Sequence, residues 1–288
     1  MDPHFLHGAR VLEPVLAPPV EHPAAIAWRP GSERLLVAAR SGAVFEVEPA
    51  GGTRRVVELG AEPAVLVCVD DDLVVLTVEG LLQRWGEAGV RWERPTGLLA
   101  ARTVVCGGGG IAVIGDDGSA RRVLVFDGGG ERRLRARVPA RTAIGVQGGR
   151  LVWVRSLPEG LATSAIGEPL AAGGSTNHLL TVTPHATVGV TEAGVAVWSD
   201  AGALAVRQGE VGNVALDVSG GLLAFGTKNG AVGLVRLDQP EQRKSPPRIE
   251  AHTGPVRGLS FATRGRWLAT IGDRCRVWTY ATPTLSPQ

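Results

Sequence analysis

Two-residue turns ending in glycine recur along the sequence at nearly constant intervals. Each lies between two short apolar runs, which is the pattern of a β-hairpin, because glycine readily adopts the positive φ that tight hairpin turns need. Successive turns are 34 to 44 residues apart, a period that predicts a repeat architecture. The turns are Ser41-Gly42, Glu79-Gly80, Asp117-Gly118, Glu159-Gly160, Ala193-Gly194 and Asn229-Gly230, and Asp273-Arg274 takes the seventh place without a glycine.

Four short strands fit into each repeat except the last, and their polarity changes along the unit. In the first unit the runs are AAIAWRP, RLLVAAR, AVFEVEP and TRRVVEL. The inner strands are nearly pure Val, Leu, Ala and Ile, as expected of strands buried on both faces. The outer strands carry charge, which protects an exposed edge from pairing with other chains. Seven such units predict one all-β domain over residues 1–288, a seven-bladed β-propeller of four-stranded antiparallel blades.

The stretch Ala251–Tyr280, AHTGPVRGLSFATRGRWLATIGDRCRVWTY, resembles one complete WD40 repeat. The resemblance rests on a histidine in the AHTGPV opening, two apolar strands, a tight turn with an aspartate, and a tryptophan ending the next strand. The aspartate lies one residue closer to the tryptophan than in the family's pattern. The family implies a buried hydrogen-bonded chain with a structural role. Its members here would be His252, Thr270, Asp273 and Trp278.

Residues 9–17, ARVLEPVLA, have the pattern of a strand but belong to no repeat. The last repeat supplies only three strands before Tyr280, and residues 281–288 form a tail. We therefore expect the strand at 9–17 to complete the last blade and close the ring, which removes an unpaired edge.

The hairpin turns and the connections into each first strand should share one rim of the ring. In WD40 proteins that rim is the usual protein-binding surface, so the resemblance implies the same use here. Carboxylates recur at the turn positions and predict an acidic rim that binds a basic peptide or protein. They are Glu79, Asp117, Glu159, Glu192 and Asp273.

A basic patch lies on the third repeat. Strand alternation places Arg133, Arg135 and Arg137 on one face of its outer strand. This stripe is either a docking surface for an acidic protein or nucleic acid or a solvated edge protected by charge. The second interpretation is favoured, because no aromatic residues are interleaved for base stacking. The whole patch comprises Arg121, Arg122, Arg132, Arg133, Arg135 and Arg137.

The polar, proline-rich segment 237–248, LDQPEQRKSPPR, is longer than its counterparts. It is either a surface loop without a role or an excursion that docks a partner. The sequence leaves both interpretations open.

Motifs for catalysis, metal binding or membrane insertion are missing from the sequence. There is no GxSxG, HExxH or Walker-type loop. The glycines that follow Cys106 predict only a loop between strands, and Cys68 should occupy the equivalent place in the preceding repeat as a small buried side chain. His4 and His7 are weak metal candidates on a terminal segment. No catalytic residue, metal or cofactor is predicted.

The bulk properties agree with a protein of the cytoplasm. Net charge is only +2, three cysteines do not make a disulfide framework, and the first residues lack the apolar core of a secretory signal. No apolar run approaches the length of a membrane span. The Ala, Gly, Arg and Val bias is typical of a GC-rich bacterial coding sequence.

The family resemblance implies a non-enzymatic scaffold that binds a protein or peptide through the rim, within a multiprotein complex. One alternative is a propeller enzyme, a hydrolase or lyase, which would need His, Asp and Glu residues clustered at the channel mouth. The other is a nucleic-acid-binding module that uses the third-repeat arginines, and its binding would depend steeply on salt.

Overall fold

The structure is a computed structural model that describes residues 12–49, 51–101, 103–157, 160–169, 178–183, 186–191, 194–199, 202–206, 211–216, 221–263 and 267–280. In these ranges 27 β-strands and one short helix are found, and the strands form seven antiparallel sheets. The sheets are called blades one to seven in chain order. The first strand, β1 (Leu12–Leu16), belongs to the last blade.

The first three blades each contain four consecutive strands. Blade one consists of β2 (Pro23–Trp28), β3 (Leu35–Ala39), β4 (Ala43–Glu48) and β5 (Gly52–Glu58). Blade two consists of β6 (Pro63–Val69), β7 (Asp72–Thr77), β8 (Leu81–Gly86) and β9 (Gly89–Pro95). Blade three consists of β10 (Thr103–Gly107), β11 (Gly110–Asp116), β12 (Arg121–Asp127) and β13 (Arg132–Arg137).

Blade four differs from its neighbours in having three described strands, β14 (Ala143–Gln147), β15 (Arg150–Leu157) and β16 (Gly160–Ala165). The sequence also indicates a weak fourth strand near Leu170, which lies outside the described residues. Blade five has four strands again, namely β17 (His178–Val182), β18 (Ala186–Thr191), β19 (Gly194–Ser199) and β20 (Gly202–Val206).

The last two blades contain the helix and the closing strand. Blade six consists of β21 (Val211–Leu216), β22 (Leu222–Thr227), β23 (Ala231–Arg236) and the short β24 (Arg248–Glu250), with α1 (Pro240–Lys244) between the last two. Blade seven consists of β25 (Gly258–Phe261), β26 (Trp267–Ile271), β27 (Cys275–Tyr280) and β1. The tail at 281–288 is outside the described residues.

The seven sheets form a ring. The innermost strands contact one another in the order β2, β6, β10, β14, β17, β21, β25 and back to β2. Seven antiparallel blades around one axis make a seven-bladed β-propeller, so the predicted fold class is confirmed.

Closure by the amino-terminal strand is also confirmed. Strand β1 pairs antiparallel with β27, and Leu12 lies opposite Tyr280 while Leu16 lies opposite Val277. The register shifts by one residue between Pro14 and Leu16. The observed strand ends at Leu16, one residue before the predicted end, and residues 9–11 are outside the described part.

The hydrophobic core lies between the blades, because alternate side chains of each sheet point to its two neighbours. On β3, Leu35 and Val37 pack towards blade seven, whereas Leu36 and Ala38 pack towards blade two. Corresponding apolar clusters join every adjacent pair of blades, including blades one and seven. The apolar seam between the first and last blades stabilises the ring together with the pairing of β1.

Burial changes across each blade in a way that only partly matches the prediction. The outer strands β5, β9 and β13 are largely exposed, as expected. The most buried strands are the second ones, since β3, β7 and β22 are buried at every residue. The innermost strand β6 is mostly half-buried although both of its faces pack against neighbouring blades, because it is the edge strand of its sheet at the channel.

The segment 237–248 contains the helix α1, which packs against β23 and β20. Its first residue is Pro240, an acidic residue lies in its first turn and basic residues in its last. The segment was predicted only as a loop, so the short helix is a correction. The Pro240 position and the order of the charges are the signals that could have revealed it.

Candidate functional site: the rim and its polar network

A chain of hydrogen bonds links the four residues expected from the last repeat. The indole Nε1 of Trp278 donates to Thr270 Oγ1 at 3.0 Å. Thr270 Oγ1 lies 2.9 Å from His252 Nε2, and His252 Nδ1 lies 2.7 Å from Asp273 Oδ1. Strand β26 supplies the threonine, β27 the tryptophan, and the connection from blade six the histidine. The chain therefore ties one hairpin to the segment that enters it.

The hydrogen-bonding capacities of these groups select one protonation state. The Asp273 carboxylate only accepts, so His252 Nδ1 carries the proton and donates. His252 Nε2 then accepts from the Thr270 hydroxyl, whose oxygen accepts from Trp278. Every donor in the chain has an acceptor when the imidazole is neutral. The four side chains therefore satisfy one another's hydrogen bonds in this state.

Burial and charge hold the network in this state. Burial lowers the pKa of His252, and this outweighs the opposing effect of the Asp273 carboxylate. Burial alone would raise the pKa of Asp273, but the hydrogen bond from His252 and nearby positive charge leave it below its ordinary value. The pair is therefore a neutral imidazole with an ionised carboxylate at neutral pH.

Two glycines make room for His252. A Cβ added at Gly272 would lie 2.6 Å from Cγ of the His252 ring, and one at Gly230 would lie 2.0 Å from the His252 carbonyl oxygen. The seventh turn lacks glycine at its second position, but Gly272 stands just before it. The pattern of turns did not identify Gly272, because the need for glycine there comes from the His252 ring, which belongs to the connection from blade six.

In blades one, two and six the hairpin turn lies beside an interblade connection, as predicted for the rim. The amides of Leu59, Thr96 and Ala251 donate to the carbonyls of Gly42, Gly80 and Gly230, with N–O distances of 2.9, 2.9 and 3.2 Å. The first two of these turns therefore brace the connection to the next blade, and the turn of blade six braces the entry to blade seven. All three glycines have positive φ, so the glycine serves both the turn and the close approach.

The predicted acidic rim is only partly present. Glu79 is exposed, but Asp273 is engaged by His252. Asp117 is caged, because it accepts from Arg122 Nε at 2.7 Å and Arg135 at 2.9 Å. Hydrogen bonds from Ser119, then Arg122, hold the pKa of Asp117 far below its ordinary range. Glu159 and Glu192 lie outside the described residues.

The arginine stripe of blade three has the predicted alternation. Arg133, Arg135 and Arg137 are exposed, while Leu134 and Ala136 between them are half-buried. Most of its charge is balanced locally. Arg133 pairs with Asp127 at 2.7 Å, Arg135 and Arg122 pair with Asp117, and Arg121 lies 3.7 Å from Asp116. In the described part of the chain, Arg132 and Arg137 have no ion pair.

Buried carboxylates brace the opposite edge of the blades, and the sequence did not single them out. Glu46 is 2% exposed and accepts from Arg29 and Arg54. Burial alone would raise the pKa of Glu46, but the hydrogen bonds from these arginines leave it lowered. In blade two, Asp72 on β7 pairs with Arg84 on β8 at 2.6 Å. These pairs are structural.

The cysteines occupy the predicted equivalent positions. Cys68 lies opposite Leu73 and Cys106 lies opposite Ile111, each one residue from the end of its inner strand. Burial raises the pKa of Cys68 to about 11 and that of Cys106 to about 12, so both are thiols at neutral pH. The glycines after Cys106 form the turn between β10 and β11.

Apolar side chains predominate on the described inner strands β2, β6, β10 and β14. Val67, Val105 and Val146 are half-buried on neighbouring inner strands. Among the described residues there is no group of three or more His, Cys, Asp or Glu side chains placed to hold a metal ion. Within the same ranges, α1 is the one helix, and it is far too short to cross a bilayer.

The exposed apolar residues of the rim were not anticipated. Leu99 is 74% exposed on the connection between blades two and three, and its amide donates to the Asp116 carbonyl at 2.7 Å. Val78, 48% exposed, precedes Glu79 in the neighbouring turn. A leucine after an outer strand could have been noticed in the sequence, but its exposure depends on the three-dimensional path of the connection.

No protein-family model matches the sequence, and a search of curated proteins finds no relative.

Proposed function

We propose that this protein is a non-enzymatic interaction scaffold built of WD40-type repeats, which binds a protein or peptide partner through the rim. The propeller architecture supports the scaffold role, since propellers commonly serve it. The hydrogen-bonded chain of His252, Thr270, Trp278 and Asp273 supports the WD40 assignment of the last blade. It makes that blade rigid, because each donor of the network has an acceptor.

The observation that carries the proposal is the exposure of Leu99. An isolated exposed valine is ordinary on a protein surface, but a leucine that is 74% exposed on a braced backbone is an available anchor. The connection is held by Leu99 N to Asp116 O and by Thr96 to Gly80, so little ordering would be needed on binding. Glu79 beside Val78 adds charge that favours a basic residue next to an apolar one.

The experiment is affinity capture from the native host with three forms of the full chain. The wild type and Leu99→Asp test the rim, and Val90→Asp is the matched control, because Val90 is 46% exposed on the outer strand β9. We expect partners identified by mass spectrometry to be retained by wild type and control. Leu99→Asp should weaken binding of the purified partner by about tenfold or more, as expected for a leucine withdrawn from an apolar pocket. Equal binding by all three forms would rule out this use of the rim.

The acidic-rim hypothesis is tested separately with Glu79→Lys. Glu79 is exposed, so its reversal changes charge without breaking a local contact, whereas Asp117 is tied to two arginines and its reversal would disturb blade three. A basic partner should bind Glu79→Lys more weakly and with a smaller dependence on salt. Unchanged affinity and salt dependence would leave Leu99 as an anchor without electrostatic selection.

A further inference from the structure

Several basic side chains lie on the rim where blade six meets blade seven. The connection between these blades is bonded to both of them. Val256 N donates to the carbonyl of Thr227, at the end of β22, at 3.0 Å. The next amide, Arg257 N, donates to the Ile271 carbonyl of blade seven at 2.7 Å. Lys228 and Arg257 each follow one of the residues joined by the first bond, so these two exposed cations are neighbours on the rim.

Strand alternation directs further charge towards the same junction. Arg257 precedes β25 by one residue and lies two residues before Leu259, which packs in the apolar cluster between blades six and seven. On β27, Arg276 lies two residues before Trp278 of the same cluster. Alternate residues share a face of a strand, so Arg257 and Arg276 lie on the side of blade seven that faces blade six.

Two guanidinium groups of this junction lie close to His252. Burial lowers the pKa of His252 most, and the positive charges of Arg276 and Arg274 lower it further. The exposed Arg274 has its Nε 3.5 Å from Asp273 Oδ2. The same carboxylate lies 2.7 Å from the His252 ring through its other oxygen. The negative charge of Asp273 is therefore shared with the buried network.

The positive charge at this junction exceeds the negative charge. Four basic side chains share it with the carboxylate of Asp273, and in the described part of the chain all but Arg274 make no ion pair. The exposed Glu250, on the outer strand β24 of blade six, makes none within the same ranges. The four residues, called here the six–seven surface, are Lys228, Arg257, Arg274 and Arg276.

The cations of the six–seven surface are spread along the rim. Strands β25 and β27 flank β26, so the backbones that carry Arg257 and Arg276 are about 10 Å apart. Lys228 belongs to the neighbouring blade. An extended peptide places alternate side chains about 7 Å apart on one side. Separate carboxylates along one segment therefore match this spacing more closely than one compact anion does.

Nucleic acid fits the six–seven surface less well than an acidic peptide. Single strands bind largely through stacking of their bases on aromatic side chains. The aromatic residues of blade seven that face blade six are Phe261, Trp278 and Tyr280, and all three are buried. Among the described residues of this face, no aromatic ring is exposed for stacking.

We infer that the six–seven surface binds an acidic segment of the protein partner, in which aspartate or glutamate side chains pair with these cations. Charge complementarity of this kind speeds encounter and selects the orientation of a partner. The backbone hydrogen bonds of Val256 and Arg257 hold the connection before binding, so little ordering is needed. The inference deepens the proposed function and rests on it for the ligand being a protein segment.

The six–seven surface and Leu99 lie on different parts of the rim, since Leu99 is on the connection between blades two and three. A partner that contacts both places an acidic stretch at blades six and seven and an apolar residue at Leu99. Each contact can be removed by substitution without altering the other.

The test is calorimetric titration of the full chain with three probes of equal length: capped hexaglutamate, capped hexalysine and hexathymidylate. We expect saturable binding of hexaglutamate that weakens as salt is added, because mobile ions screen exposed charges. Lys228→Gln and Arg257→Gln should each weaken it by about two- to fivefold and the double variant by about tenfold, in line with exposed ion pairs. Arg150→Gln is the matched control. It removes the same charge from an exposed residue of blade four that has no ion pair among the described residues.

The inference is wrong if hexaglutamate does not bind saturably, if Arg150→Gln weakens its binding as much as the double variant does, or if hexathymidylate binds more tightly than hexaglutamate. Binding of hexalysine that the double variant weakens would contradict it as well. The titration needs no partner, so its failure would leave the Leu99→Asp result standing. Conversely, hexaglutamate binding with unchanged partner capture in Leu99→Asp would keep the six–seven surface and remove the Leu99 anchor.

Discussion

Thr270 joins both halves of the blade-seven network through one oxygen. Its hydroxyl accepts from Trp278 and donates to His252, and the residue is fully buried. Replacement by valine keeps the shape but leaves an indole N–H and an imidazole nitrogen buried without partners. Each such group costs about 1–3 kcal/mol.

We therefore expect Thr270→Val to lower the free energy of unfolding by about 2–4 kcal/mol, as two unpaired groups imply. Denaturant unfolding measures it. Thr279→Val is the control, half-buried on the adjacent strand β27 and without a side-chain hydrogen bond in the described residues. A Thr270→Val loss no larger than that of the control would show that the network contributes little.

His252 gives the protein a pH dependence whose sign follows from its pKa. The pKa of His252 in the folded protein lies below the ordinary 6.5, chiefly because of burial. Below pH 6.5 the unfolded chain therefore binds more protons than the folded one, and stability falls as the pH falls. The lowered pKa of Asp273 acts in the same direction at still lower pH.

The unfolding midpoint in denaturant should consequently be lower at pH 5.5 than at pH 7.5. In His252→Gln this difference should shrink, although the variant is less stable at both values. His22→Asn, at an exposed position whose φ of 48° asparagine tolerates, should keep the wild-type difference. If His252→Gln kept the wild-type difference between the two pH values, groups other than His252 would be responsible for the pH dependence.

Sequence reasoning about single residues succeeded where the partners are part of a repeated pattern. His252, Thr270, Asp273 and Trp278 were found because their order along one repeat is informative. Asp117 was predicted to be an open carboxylate of the acidic rim. The pairing of β12 and β13 instead brings Arg122 and Arg135 into ion pairs with it. Such neutralisation depends on cross-strand register, which a list of turn residues does not contain.

At the scale of elements, the glycine turns act as both bends and contact surfaces. Gly230 has φ of +97°, and an added Cβ would lie 2.0 Å from the carbonyl oxygen of His252. Gly60 has φ of +72° with nothing within 4 Å of an added Cβ. Both positions require a positive φ, but only at Gly230 does another segment of the chain lie close to the glycine.

Gly60→Ala should cost about 1 kcal/mol, the conformational strain alone. Gly230→Ala should cost about 1–3 kcal/mol more, because blades six and seven must separate locally. Thermal unfolding of both variants isolates the interblade contact. Equal losses of stability in the two variants would mean that the connection carrying His252 can move away from position 230 at no cost in free energy.

Most strands were predictable because β-hairpin turns and apolar runs are local signals. The helix α1 was missed, because five residues of polar sequence give no apolar period. The location of maximal burial was also misjudged, since β6 is an edge strand of its sheet whereas β7 lies between two strands.

At the scale of the whole molecule, the period of the turns was enough to predict seven blades and the spare strand was enough to predict closure. The exposure of Leu99 was not predictable, because it depends on the path of the connection between blades two and three. Deletion of residues 1–18 should lower the melting temperature by more than about 5 °C, since β27 loses its outer partner strand and the apolar seam loses Leu16.

A synthetic peptide of residues 9–18, added in excess, should recover part of that loss, because it can pair with the vacated edge. Val15→Thr is the control, since Val15 is 42% exposed on β1 and its replacement leaves the backbone pairing intact. A melting temperature unaffected by the deletion would contradict ring closure by this strand.

The pairing of β1 with β27 also sets an order of events during translation. Strand β1 leaves the ribosome before the other strands, yet its partner is synthesised after them. Throughout that interval it could recruit a strand from a neighbouring nascent chain. Pro14 lacks an amide hydrogen, and the register shift beside it interrupts the ladder, so β1 is a poor template for a foreign strand. The irregularity that makes β1 an imperfect partner for β27 thus also disfavours pairing of β1 with a foreign strand before β27 has been synthesised.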